Sequence, residues 1–175
     1  MKHLYLPLIL FIILITEGIA LEILPSRIVL SDTLVVPHWV FICLVFIAVF
    51  YDKENTYYSV LYALIFGLLM DVVYTGVLGV YMFSYAVVIY VVHGAKKMFH
   101  SNIYVTMFLG IIGIVLAEII INIVFSVVDI SVMTWYEYTI YRLVPTVLAN
   151  LIFLVVAYPF SQKWFSKWSQ EQLKS

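Results

Sequence analysis

IYVTMFLGIIGIVLAEIIINIVFSVV, residues 103–128, contains a single charged side chain, Glu118. A bilayer's hydrocarbon core is about 30 Å thick and a helix rises 1.5 Å per residue, so about 20 mostly apolar residues cross it. The stretch is long enough and apolar enough to be a transmembrane helix. Reading outward from it, five more apolar segments stand between polar or turn-forming punctuation, at about 4–24, 37–51, 56–74, 78–93 and 138–160. The second is short, but Pro37 suits a first helical position and Leu34 to Val36 extend the apolar run. The expected fold class is an all-α integral membrane protein, one domain of six transmembrane helices over 1–175 with no linker-like tract.

The composition agrees. Of 175 residues 65% are apolar and 11% charged, whereas soluble domains are about a quarter charged. A net charge of −1 leaves no basic footprint for nucleic acid. The one cysteine, Cys43, excludes an intramolecular disulfide and a cysteine-rich metal site. Lys2, the run Leu4 to Ile15 and then Gly18-Ile19-Ala20 could pass for a signal peptide. Glu17 sits awkwardly beside that cleavage site and apolar character resumes through Leu24, so an uncleaved helix is the better expectation.

Orientation follows from the basic residues, which are retained on the cytoplasmic side. With both termini inside, the cytoplasmic pieces carry Lys2, Lys53, Lys96, Lys97, Lys163, Lys167 and Lys174. Only Arg27 and Arg142 fall outside, where the loops also hold Asp32, Asp129 and Glu137.

Four ionisable residues lie within the spans: Glu17, Asp71, Glu118 and Arg142. Each costs roughly 2.5 to 3.5 kcal/mol at a helix centre unless paired or hydrated. Glu22 is set aside because it reaches water at its helix end. By helical rise Asp71 lies about 5 Å from the outer end of its helix, Arg142 about 6 Å, Glu17 about 10 Å and Glu118 about 15 Å. Similar depth suggests one polar cluster with Arg142 as hub and Glu118 or Asp71 as nearest partner. Two alternatives stay open: Asp71 and Arg142 snorkelling to the interface, or a hydrated ion or substrate path. The excess of acid over base requires protonation or hydroxyl donors such as Tyr74, Tyr141 or Thr146.

Ala63-x3-Gly67 and Gly113-x3-Ala117 each put two small residues on one helix face. With Gly79 and Pro145 they are the positions expected at helix-packing contacts within the bundle or at a docking groove for a partner's helix. Gly79 also belongs to the outer turn Tyr74 to Gly79, where glycine takes positive φ freely. Lys163, Trp164, Lys167 and Trp168 read as an interfacial anchor. His3, His93 and His100 fall on the inner side and His38 on the outer, so no metal site is expected. Asn102 and Asn150 are expected to satisfy backbone or one another. No catalytic arrangement can be placed and no cofactor is implied, so the chain does not read as an enzyme.

Gly67-Leu68-Leu69-Met70-Asp71 followed by Leu78-Gly79-Val80-Tyr81-Met82-Phe83, then Leu116-Ala117-Glu118, then Arg142-Leu143-Val144-Pro145-Thr146 leading to Asn150, resemble the pattern of MreD, the rod shape-determining membrane protein family of bacteria. The resemblance covers essentially the whole chain. It implies a multi-pass protein of the bacterial cytoplasmic membrane within the rod elongation complex. There it would be a non-catalytic scaffold that regulates cell shape and lateral cell-wall synthesis. The implied partners are the transmembrane helix of MreC, the glycosyltransferase RodA, a class B penicillin-binding protein and, indirectly, MreB filaments. It further implies a fold similar to the S-component of energy-coupling-factor vitamin transporters, which makes a small-molecule or ion carrier the alternative function. Fold alone does not decide between them.

Overall fold

A computed structural model of the chain describes residues 5–23, 33–99, 102–128 and 133–171. The described residues form six helices and no strand: α1 (Tyr5–Ile23), α2 (Trp39–Tyr51), α3 (Tyr58–Thr75), α4 (Val80–Lys96), α5 (Ile103–Val127) and α6 (Trp135–Glu171). By length and composition α3, α5 and α6 can cross a membrane alone, while Tyr5–Ala20 of α1, α2 and α4 are shorter apolar helices. The expectations for Lys2, His3, Leu24, Arg27, Asp32, His100, Asp129 and Lys174 lie outside the described residues, as does the side chain of Glu22.

α2 is the axis of the bundle. Every residue from Val40 to Tyr51 is buried, which is why its sequence is apolar all round rather than striped. It begins after His38, so Pro37 precedes the helix instead of opening it. Its eight α-helical residues and five-residue π turn rise only about 20 Å, two-thirds of a hydrocarbon core. Residues 33–38, in line before it, carry no helix. The apolar run therefore continues through Leu34 to Val36 as extended chain. Such backbone is tolerated at membrane depth only where protein satisfies its polar groups.

α3 and α4 form a tight hairpin. A Cβ at Gly67 would stand 2.6 Å from Met82 Cα and 2.9 Å from Tyr81 O, so the two backbones approach as only glycine allows. Gly76 (φ 69°) ends α3 and Gly79 (φ 97°) starts α4, both left-handed.

α6 departs most from expectation. It starts at Trp135, where Thr134 and Glu137 form a capping box, and it runs to Glu171 instead of stopping at Phe160. Pro159 lies inside it, forfeiting one intrahelical donor without ending the helix. Continuation is held by packing: Phe165 is buried, Trp168 stacks on Tyr5 at 5.9 Å, and Ser169 Oγ donates to the Tyr51 carbonyl at 3.0 Å. The expected anchor is thus divided. Lys163, Trp164 and Lys167 are exposed, whereas Trp168 serves the bundle.

Candidate functional site: a buried polar seam

The extended chain before α2 is fastened to one face of α6 at alternate residues. Pro145 has no N–H, so the Tyr141 carbonyl four residues earlier lacks its helical donor. That carbonyl accepts from the Leu34 amide at 2.7 Å. One turn on, Thr146 Oγ1 accepts from the Val36 amide at 3.1 Å. A turn further, Asn150 Nδ2 donates to the Val36 carbonyl at 2.8 Å and Asn150 Oδ1 accepts from the His38 amide at 2.7 Å. Residues 34, 36 and 38 face α6 as a strand faces a neighbour, with side chains supplying what a second strand would.

The seam delivers His38 to Glu118 on α5. His38 Nε2 lies 2.7 Å from Glu118 Oε1, and His38 Nδ1 lies 2.8 Å from the Tyr85 hydroxyl. An ionised carboxylate only accepts, so Nε2 carries a hydrogen toward Glu118, and the neutral tautomer with that hydrogen takes the Tyr85 O–H at Nδ1. From α6, Arg142 Nε donates to Glu118 Oε2 at 3.1 Å and the Tyr138 hydroxyl donates to the same oxygen. Tyr138 also donates to the Glu118 backbone carbonyl at 2.8 Å, and the Arg142 guanidinium stands 5.7 Å from its ring. Glu118 and His38 are fully buried and the Arg142 side chain is 19% exposed. A buried ion pair is tolerable when its remaining lone pairs are filled in this way.

Asp71 does not join Arg142, nor does it snorkel. It is fully buried, and it accepts from the amides of Gly79 and Tyr81, both at 2.8 Å, and of Met82 at 3.1 Å. Those are the orphan donors at the start of α4, where the helix dipole favours a negative charge. Glu17, also fully buried, does the same for α2: its Oε2 accepts from the Val40 amide at 2.8 Å. Glu17 Oε1 completes no hydrogen bond, although the Trp39 amide sits beside the carboxyl. The expected four-membered cluster is therefore one ion pair, Glu118 with Arg142, and two helix caps. The separation has a physical reason, since the orphan N–H groups at helix N-termini compete with a cation for carboxylates. The expected hydroxyl donors differ too. Tyr74 donates to the Leu14 carbonyl at 3.0 Å and Thr146 serves the seam.

The sequence profile of the family described as rod shape-determining protein MreD matches residues 2–168. The chain belongs to the MreD family. It is 29% identical over 161 residues to the rod shape-determining protein MreD of Bacillus subtilis (strain 168), covering 91% of this chain and 92% of that protein. No solved structure matches, so the expected likeness to vitamin-transporter subunits draws no support from that comparison.

Each stretch that carried the MreD resemblance has a mechanical part here. Gly67 and Asp71 join α3 to α4, Glu118 receives the seam, and Arg142, Pro145, Thr146 and Asn150 hold it. The small-residue faces are used inside the bundle: Ala63, Gly67, Gly113 and Ala117 are all buried, and a Cβ at Gly113 would meet the Phe41 ring at 3.1 Å. They offer no open groove to a partner. Asn102 caps α5 through the Val105 amide at 2.9 Å and never meets Asn150. Tyr85 and Tyr138 do not stand out in the sequence, and His38 reads there only as an outer-side histidine belonging to no metal site. Tyr138 precedes Arg142 by one turn, a spacing that places both on one face and could have revealed it.

A second polar group lies at the opposite end. Asp52 accepts from the Tyr58 and Ser59 amides at 3.1 and 2.9 Å, capping α3, and Lys96 Nζ donates to the Asp52 carbonyl at 2.6 Å and to that of Ala48. Burial pushes the Lys96 ammonium down to about 8 and raises the Asp52 carboxyl.

Proposed function

We propose that the chain is a non-catalytic scaffold of the bacterial rod elongation complex, a six-pass protein of the cytoplasmic membrane with both termini inside. On this reading it docks the transmembrane helix of MreC and holds it in place relative to RodA and a class B penicillin-binding protein, with MreB reached indirectly. Cell shape and lateral wall synthesis are regulated through that placement. The observation that carries the reading is where the intramembrane charges are spent. Asp71, Glu118 and Arg142 are turned to helix ends and to the seam, which is what rigid positioning needs.

A carrier would instead line a hydrated outward cavity with Glu17, Asp71, Glu118 and Arg142. Of the four, only Glu17 Oε1 is buried without a completed hydrogen bond, and one oxygen does not make such a path. The lipid-facing surface, not the small-residue faces, then carries docking.

The test is co-purification with MreC in mild detergent, using the wild-type chain, Arg142→Ala and Glu118→Gln. A stable complex with the wild type that is lost in both variants supports a scaffold whose docking face depends on the seam. A well-folded, monodisperse wild type that captures no MreC refutes it, and vitamin-sized ligands become the next screen.

A further inference from the structure

At the inner end of the bundle, a cavity of about 170 Å³ opens between the residues leading into α3 and the last turns of α4, lined by Tyr57, Tyr90, Val91, His93, Gly94 and Lys97. His93 is 1% exposed, yet neither ring nitrogen completes a hydrogen bond within normal reach, although the Glu54 backbone carbonyl lies near. Asp52 is 3.8 Å from Nδ1, beyond hydrogen-bond reach, and its oxygens already serve Ser59 and the start of α3. A buried imidazole in this condition is costly unless something else completes it. The Tyr57 ring is tilted against His93 at 4.7 Å and stacks on Tyr90 at 6.2 Å, and Lys97 Nζ lies 5.9 Å from the Tyr57 ring centroid. Among the described residues no carboxylate pairs with Lys97. An ammonium, two phenols and an unfilled imidazole line one cavity with no carboxylate among its lining residues, and the Asp52 carboxylate 3.8 Å from His93 is engaged in capping α3.

The approach to the cavity is apolar. Val87 and Val91 are exposed one turn apart on α4, and at Gly94, the next turn, a Cβ would meet nothing within 4 Å. A chain lying along this stripe would end with its polar head among Tyr57, His93 and Lys97. The helix dipole of α4 opposes an anion there, but Lys96 and Lys97 close its last turn. We propose that this niche binds the phosphate of an anionic phospholipid, with its acyl chain along Val87 and Val91. Basic pockets at the cytoplasmic side of helix bundles are suited to such head groups.

The test is thermal unfolding of the full-length chain in neutral detergent during titration with phosphatidylglycerol, phosphatidylcholine or inorganic phosphate. Phosphatidylglycerol should raise the midpoint saturably, and the other two should not. Lys97→Gln should weaken half-saturation about fivefold, equivalent to about 1 kcal/mol per lysine near the surface. Gly94→Leu, which fills the open space, should weaken it too, while Lys163→Gln/Lys167→Gln leaves it unchanged. Equal weakening by that last pair would mean diffuse attraction and overturn the proposal, as would wild-type titration by Lys97→Gln. If inorganic phosphate alone reproduced the saturable rise, the ligand would be the free anion and the lipid assignment would fall.

Discussion

Replacing Asn150 with Ala should release α2. The amide holds two backbone groups of the seam, the His38 N–H at 2.7 Å and the Val36 carbonyl at 2.8 Å, and Asn150 is fully buried. Each buried backbone group left unpaired costs about 1–3 kcal/mol, so the pair costs about 2–6 kcal/mol. Whole domains are stable by only about 5–15 kcal/mol. Cys43 provides a built-in reporter, since it is the sole cysteine and lies buried in the middle of α2. Under conditions where opening precedes reaction, 2 kcal/mol corresponds to about 25-fold faster labelling by a maleimide, at 1.4 kcal/mol per tenfold. Asn150→Asp should label at least as fast, because it keeps the acceptor for His38 but turns an oxygen toward the Val36 carbonyl. Leu148→Ala, on the exposed face, should stay within about twofold of wild type, as surface changes usually do. Labelling of Asn150→Ala within twofold of wild type would refute the seam as the element that fixes α2.

Three further outcomes are expected. Gly67→Ala should lower stability by about 1–3 kcal/mol in detergent unfolding, because the new methyl meets the Met82 backbone rather than a side chain that can swing away; an unchanged midpoint would contradict the close α3–α4 approach. Asp71→Ala, which removes the acceptor of three amides, should cost at least the roughly 0.5–2 kcal/mol of a lost helix cap and Asp71→Asn clearly less, since one acceptor remains; equal losses would point to the charge instead of the cap. Lys96 has a folded-state pKa of about 8 against an ordinary 10.5, so between those values the unfolded chain binds more protons and stability rises with pH, the deficit being fully present below pH 8. Lys96→Gln should flatten that rise over pH 8 to 10.5, and matching slopes in the two proteins would remove Lys96 as its source.

The helices were legible because apolar runs of transmembrane length have few other uses. α2 was legible as a segment but not as a shape. Val40 to Tyr51 read alike whether a helix faces lipid or five neighbours, and nothing in Leu34 to Val36 distinguishes helix from extended chain. The deciding information sits more than a hundred residues away, in Thr146 and Asn150. Pro159 and the polar tail misled about α6, because the contacts that carry it onward, Phe165 in the core and Trp168 on Tyr5, are tertiary. Glu118 and Arg142 could be matched by depth and opposite charge. His38 could not, since a histidine beside Pro37 at a helix start looks interfacial until the seam draws it inward.

The excess of carboxylates over basic residues in the spans follows from the same physics. A cation is only one way to stabilise a buried negative charge; the first turn of a helix, with orphan N–H groups and about half a positive charge, is another. α2 begins beside α1 and α4 beside α3, and each takes an acceptor for those groups from elsewhere in the chain. Glu17 of α1 serves α2, and Asp71 of α3 serves α4. The seam has no helix dipole to offer, and it is there, at Glu118, that the chain places its one intramembrane arginine. A carboxylate at a helix start and a carboxylate facing Arg142 therefore differ in a testable way. The first is replaceable by a neutral acceptor such as Asn, whereas Glu118→Gln leaves the part-buried Arg142 without its counter-charge, a loss of up to roughly the 3–5 kcal/mol seen when one partner of a buried pair is removed.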